Sequence, residues 1–154
     1  MYKRILIVCT GNICRSPLAE VLFQSHMPWC QVSSAGIAVD NCHLSGSPAA
    51  PYSQQIARAI GCDLSKHSAK QLTPALVNAH QLILVMDTNQ LEHIAHHYPN
   101  SRPKLLLLGQ WSNISHIDDP IGQNLTKFEH TFNQITTAVL AWKQVFNHQH
   151  NPNQ

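Results

Sequence analysis

The sequence predicts an α/β fold, a three-layer sandwich in which a four-stranded parallel sheet lies between helices. Two observations carry this. Four short runs rich in Ile, Leu and Val alternate with segments whose apolar residues recur at helical spacing. The third run, residues 81–86, is apolar on both faces, as a central strand covered from both sides must be. Such alternation implies right-handed crossovers and gathers any site at the carboxyl ends of the strands.

Residues 4–8 (Arg-Ile-Leu-Ile-Val) read as a buried strand. Residues 17–26 read as a helix, with Ser16 as N-cap and Pro17 at the first helical position. A short strand at 31–35 stops at Gly36, and a loop of small and polar residues follows at 37–47. A helix over about 49–60 ends with Gly61 in the C′ position. After a connector at 63–67, Thr73-Pro74 caps a short helix ending near His80. The central strand at 81–86 comes next. Asp87-Thr88-Asn89-Gln90 reads as a capping box opening a helix to about His97. Pro99 and Pro103 bracket the exit to a fourth strand at 104–108, closed by Gly109. An irregular stretch at 110–124 leads into a long helix over 125–146. Its Phe128, Phe132, Ile135, Val139, Leu140 and Trp142 repeat at helical spacing. Residues 1–147 therefore form one domain, and 148–154 a short polar tail.

The 154 residues are 44% hydrophobic and 12% charged, a globular composition able to bury a substantial core. A formal net charge of +2 is too small to argue for nucleic acid or an anionic membrane. No apolar run approaches a membrane span, so no membrane insertion is expected. The five cysteines lack framework spacing, and Met1 leads directly into the first strand, so no leader is expected and the compartment is a reducing cytoplasm.

The chemistry concentrates in Cys9-Thr10-Gly11-Asn12-Ile13-Cys14-Arg15-Ser16, between the first strand and the first helix. A strand, a short loop and a helix N-terminus form an anion cradle. Loop N–H groups converge on one point, and the helix dipole adds positive charge there. Five residues separate Cys9 from Arg15. The Arg fork is suited to two oxygens of a tetrahedral oxyanion, leaving Cys9 beneath to attack the central atom, and such surroundings favour a thiolate. Ser16 is also placed to donate to the sulfur. Asn12 tolerates the left-handed backbone that an inward-folded loop requires.

A thiolate attack on a phosphomonoester expels an alkoxide or phenoxide that needs a proton. The chain has eight carboxylates. His116-Ile117-Asp118-Asp119-Pro120 lies in the irregular stretch that should overhang the sheet's carboxyl edge. Pro120 biases Asp119 to an extended conformation, aiming its side chain into the site. Asp118 is the nearer competitor.

The loop wording and its position at the start of the chain resemble the low-molecular-weight protein tyrosine phosphatases, in their bacterial form. The resemblance implies a flavodoxin-like or Rossmann-like four-stranded sheet, with Cys9 as nucleophile, Arg15 binding phosphate and the transition state, and Asp119 in Asp-Pro as general acid and base. Thr10, Gly11, Asn12, Ile13, Cys14 and Ser16 would complete the phosphate-binding loop, and Ser34 and His67 would support it. Neither metal nor cofactor is implied. A Cys9–Cys14 disulfide is a family possibility, although Cys14 reads equally well as a small buried hydrophobe. The implied substrate is a phosphotyrosine protein. In bacterial relatives it is commonly a tyrosine autokinase controlling exopolysaccharide or capsule export, and a monomer is expected.

The walls of the pocket should come from residues 37–46, with His43 or Leu44 contributing, and from 120–122. Asp87 matches a family aspartate but is explained by its capping role. His93, His96 and His97 lie at helical spacing, where a solvated face outweighs a metal site. Cys30, Cys42 and Cys62 carry no signal. The rival activities are a thiol-coupled arsenate reductase, which needs two further cysteines that residues 82–97 do not supply, and a phosphotyrosine-binding module lacking Cys9, Arg15 or Asp119, all of which are present.

Overall fold

The computed structural model describes residues 2–150, and side chains to residue 149. Four strands form the sheet: β1 (Arg4–Cys9), β2 (Gln31–Gly36), β3 (Leu82–Val85) and β4 (Leu105–Leu107). Their order is β2-β1-β3-β4, and every pairing is parallel. The helices are α1 (Arg15–His26), α2 (Pro51–Ala59), α3 (Pro74–Ala79), α4 (Thr88–His97) and α5 (Leu125–His150), with a 3-10 segment over Pro99–Lys104.

Alternation along the strands divides the core between the two faces of the sheet. Ile5, Ile7, Leu82 and Leu84 pack toward α1, α2 and α5, where Phe23, Ile56, Trp142 and Phe146 meet them. Leu6, Val8, Ile83 and Val85 pack the other way, against Val77 of α3 and Ile94 and Ala95 of α4. The predicted three layers are therefore present.

Strand order reverses between β1 and β3, so the chain opens a crevice at their carboxyl ends. Cys9 is the last residue of β1 and lies at that crevice. Register reinforces the placement, since Cys9 aligns with Gly36 at the end of β2. A Cβ on Gly36 would lie 2.6 Å from the Thr10 carbonyl oxygen and 3.0 Å from the Asn12 nitrogen. The absence of a side chain there lets β2 approach the loop.

Four local expectations change. Helix α1 begins at Arg15, not Pro17. Cys14 is the N-cap, without a side-chain capping bond, and Ser16 lies inside the helix. The Ser16 hydroxyl has turned inward to better partners, described below. The capping box at α4 is half formed. Asp87 accepts from Gln90 N at 2.8 Å, whereas Gln90 Oε1 reaches past it to Met86 N at 2.9 Å. Helix α5 continues to His150 beyond the expected end near Phe146; of the predicted polar tail, 151–154 lie outside the described residues. Leu140 is exposed, off the buried stripe of α5. Among the described residues, no helix is long and apolar enough to cross a membrane.

Candidate active site

The loop after β1 folds around the Cys9 sulfur. Asn12 N donates to Cys9 Sγ at 3.3 Å, and Ser16 Oγ lies 3.0 Å from the same sulfur. Asn12 adopts φ +55°, the left-handed conformation that the loop reversal demands. Its side chain, fully buried, is bonded at both ends. Asn12 Nδ2 donates to Ser16 Oγ (2.8 Å) and Ser34 Oγ (3.0 Å), while Oδ1 accepts from Lys70 N (3.0 Å). His67 Nε2 meets the Asn12 carbonyl at 2.6 Å. Ser34 and His67, chosen from the family resemblance, are thus brought to the loop from two separate segments.

The network also holds residues that sequence reasoning missed. Glu20 accepts from Ser34 Oγ at 2.5 Å. It lies one helical turn beyond Ser16, a spacing that could have marked it. Gln90 Nε2 donates to Thr10 Oγ1 at 3.2 Å, and its capping signature concealed that contact.

Arg15 is only 3% exposed. Its guanidinium donates to the Ile117 carbonyl (3.0 Å) and to Thr10 Oγ1 (3.3 Å), and its Nη2 lies 3.4 Å from Asp119 Oδ2. Arg15 Nε is buried without a partner. The guanidinium therefore ties the loop to the segment carrying Asp119 and keeps one donor uncommitted. Asp119 Oδ1 also accepts from Ile121 N at 3.2 Å, an Asx turn that fixes the carboxylate over the pocket.

Asp118 faces elsewhere. Its carboxylate meets His130 Nε2 at 3.1 Å and His116 Nε2 at 3.5 Å, on a separate polar cleft beside α5. Asp87 serves as the α4 cap and lies 3.4 Å from His116 Nδ1.

The cleft above the loop measures about 130 Å³, with Cys9, Arg15 and Asp119 among its lining residues. Ile13, Leu44 and Ile121 give it apolar walls. Leu44 lines it and His43 does not, while Cys42, which carried no signal in the sequence, is exposed at its rim. Cys14 also faces the cleft, but burial pushes its thiol up to about 12. Cys9 and Asp119 add to that rise and Arg15 opposes it. His93 and His97 stack at 4.2 Å on α4, and no group of three or more metal-ligating side chains occurs among the described residues.

A parallel α/β sheet carrying an oxyanion cradle with a thiol at its floor is the architecture of a cysteine-dependent phosphatase. Comparison with known proteins narrows the class. Residues 4–151 match the family model described as low molecular weight phosphotyrosine protein phosphatase. A Ralstonia nicotianae protein named probable low molecular weight protein-tyrosine-phosphatase EpsP is 42% identical over 142 residues, covering 92% of this chain and 94% of its own. Escherichia coli Wzb, named a low molecular weight protein-tyrosine-phosphatase, is 34% identical, covering 96% and 97%. The structure of Vibrio vulnificus Wzb in complex with benzylphosphonate superposes with a TM-score of 0.91 at 38% identity, covering 94% of this chain and 99% of that one. The chain belongs to the low molecular weight phosphotyrosine protein phosphatase family.

Proposed function

We propose that this protein hydrolyses phosphotyrosine in a protein substrate through a phosphocysteine intermediate. The observation that carries the reading is the convergence of Cys9, Arg15 and Asp119 on one cleft of about 130 Å³. The Cys9 thiolate attacks phosphorus in line. The P–O(aryl) bond breaks as Asp119, in its acid form, gives its proton to the leaving phenolic oxygen. Water then attacks the phosphocysteine, its proton passing to the Asp119 carboxylate. The S–P bond breaks, releasing phosphate and the Cys9 thiolate. Arg15 and the loop N–H groups hold the equatorial oxygens through both steps, supplying the positive charge that a metal would otherwise provide. The Ser16 hydroxyl, 3.0 Å from Cys9 Sγ, eases departure of the sulfur in the second step.

Leu44 and Ile121 form apolar walls suited to an aryl ring. The bacterial resemblance extends the proposal to a membrane tyrosine autokinase of exopolysaccharide or capsule export as substrate, met by a monomeric enzyme in the cytoplasm. The test is phosphate release from an aryl phosphate under reducing conditions with chelator present. Wild type should turn over, Cys9→Ser should be inactive, and Asp119→Ala should lose about 10²–10⁴-fold in kcat. A wild-type protein without turnover overturns the reading.

A further inference from the structure

Thr10 stands out because of the hydrogen bonds its hydroxyl already accepts. Arg15 Nη2 points to Thr10 Oγ1 at 3.3 Å, and Gln90 Nε2 points to the same oxygen at 3.2 Å. A guanidinium has only donors, so Thr10 must accept from it. The orientation of the Gln90 amide is equally fixed. Its Oε1 takes the Met86 N–H at 2.9 Å, which leaves Nε2, a donor, facing Thr10. A hydroxyl oxygen has two lone pairs, and here both are filled. Its own proton is then free to donate, and no hydrogen bond among the described residues uses it. Thr10 lines the cleft above Cys9. Arg15 lines the same cleft, and its Nε is a second donor without an acceptor, on a side chain 97% buried. Two donors without acceptors, the hydroxyl held by Gln90 and Arg15 and the Nε of Arg15 itself, thus belong to residues lining one space.

We propose that the Thr10 hydroxyl is a catalytic donor to a nonbridging oxygen of the bound phosphoryl group, held in donor orientation by Gln90 and Arg15. The inference rests on the phosphatase reading and deepens it. Gln90, on α4, is a positioning residue, acting only through Thr10. It is 5% exposed, so its bonds to Met86 and Thr10 are shielded from competing water. A side-chain donor aimed at the transferring group adds to the backbone cradle, because it costs no reorientation when charge builds on those oxygens.

The test uses full-length protein and an aryl phosphate, with inorganic phosphate as competitive inhibitor. Thr10→Val keeps the shape and removes the hydroxyl. It should lower kcat/KM by about 10- to 100-fold and weaken phosphate inhibition in parallel. Thr10→Ser should recover most of that loss. Thr10→Val with both values within twofold of wild type overturns the proposal.

Thr10→Val also removes an acceptor from Arg15, so a second variant separates donation from bracing. In Gln90→Glu, one oxygen still accepts from Met86 N–H and the other captures the Thr10 proton, while Thr10 keeps a lone pair for Arg15. The proposal expects a loss of similar size that largely disappears in the Thr10→Val background. The effect of the added charge on Arg15 is common to both backgrounds and subtracts out of the cycle. Full additivity of the two changes would show that Thr10 only braces Arg15, and overturns the proposal. Phosphate affinity in the Cys9→Ser protein provides a reading independent of turnover. An inactive wild type whose Cys9→Ser form still loses phosphate affinity with Thr10→Val sinks the phosphatase reading and leaves the donor role standing.

Discussion

Cys9 and Cys14 line the same cleft five residues apart, yet their surroundings differ. Cys9 Sγ is met by a backbone N–H and by the Ser16 hydroxyl. Cys14 has burial against it, with Cys9 and Asp119 adding to the effect, and its thiol is pushed up to about 12 from an ordinary 9.0. Below pH 9 the thiol is protonated in both folded and unfolded chains, and the stability linked to it is complete. As pH rises from 9 toward 12 the unfolded chain ionises first, and that stability is progressively lost. Denaturant melts of wild type and Cys14→Ser should therefore differ by a constant amount between pH 7 and 8.5. Wild type should lose ground between pH 9.5 and 11. A difference independent of pH over the whole range would contradict the raised thiol.

The segment carrying Asp119 is fixed from both sides. Ile117 N donates to Met86 O at 3.0 Å beyond the end of β3, and the Ile117 carbonyl accepts from Arg15. On the other side α5 holds Asp118 by its backbone. Gln134 Oε1 accepts from Asp118 N and Thr131 Oγ1 donates to Asp118 O, each at 3.0 Å. The proposed acid is thus aimed by a helix that never enters the cleft. Loosening it by Thr131→Val with Gln134→Leu should lower kcat/KM, which reports only on the first displacement, several-fold on phenyl phosphate, whose leaving group needs the proton. The kcat/KM of an activated nitrophenyl ester should barely respond. Equal losses on both esters would mean that the loop acts on something other than proton transfer. This long-range bracing was not legible in the sequence. Nothing in the sequence distinguishes Thr131 and Gln134 from the other polar residues of that helix.

Across the whole molecule, the oxyanion cradle is part of what holds the sheet edge together. Its residues come from the loop after β1 and from α1, Gln90 of α4 is bonded to Thr10, and Arg15 also binds the segment after β4. A tetrahedral anion that binds the folded state alone should raise the melting temperature with concentration. Millimolar phosphate or sulfate should stabilise wild type by a few degrees and leave Arg15→Ala unchanged. Equal stabilisation of both would indicate a general salt effect.

The amino-acid sequence determined the α/β class, because strand and helix periodicities are local. It also singled out Cys9 as the proposed nucleophile, together with the candidate oxyanion loop and Arg15, because those lie within eight contiguous residues. Pro120 favoured Asp119 over Asp118 for a similarly local reason. Only the tertiary structure decided the strand order β2-β1-β3-β4 that sets Cys9 at the crevice. It likewise turned Ser16 from a helix cap into a partner of the sulfur, and brought Glu20, His67, Gln90 and Cys42 to the site. Those placements depend on packing between segments up to 80 residues apart, as in the Gln90–Thr10 bond. A hydrogen-bonding side chain looks the same in a sequence whether it will meet water or a buried partner, and packing alone makes that choice.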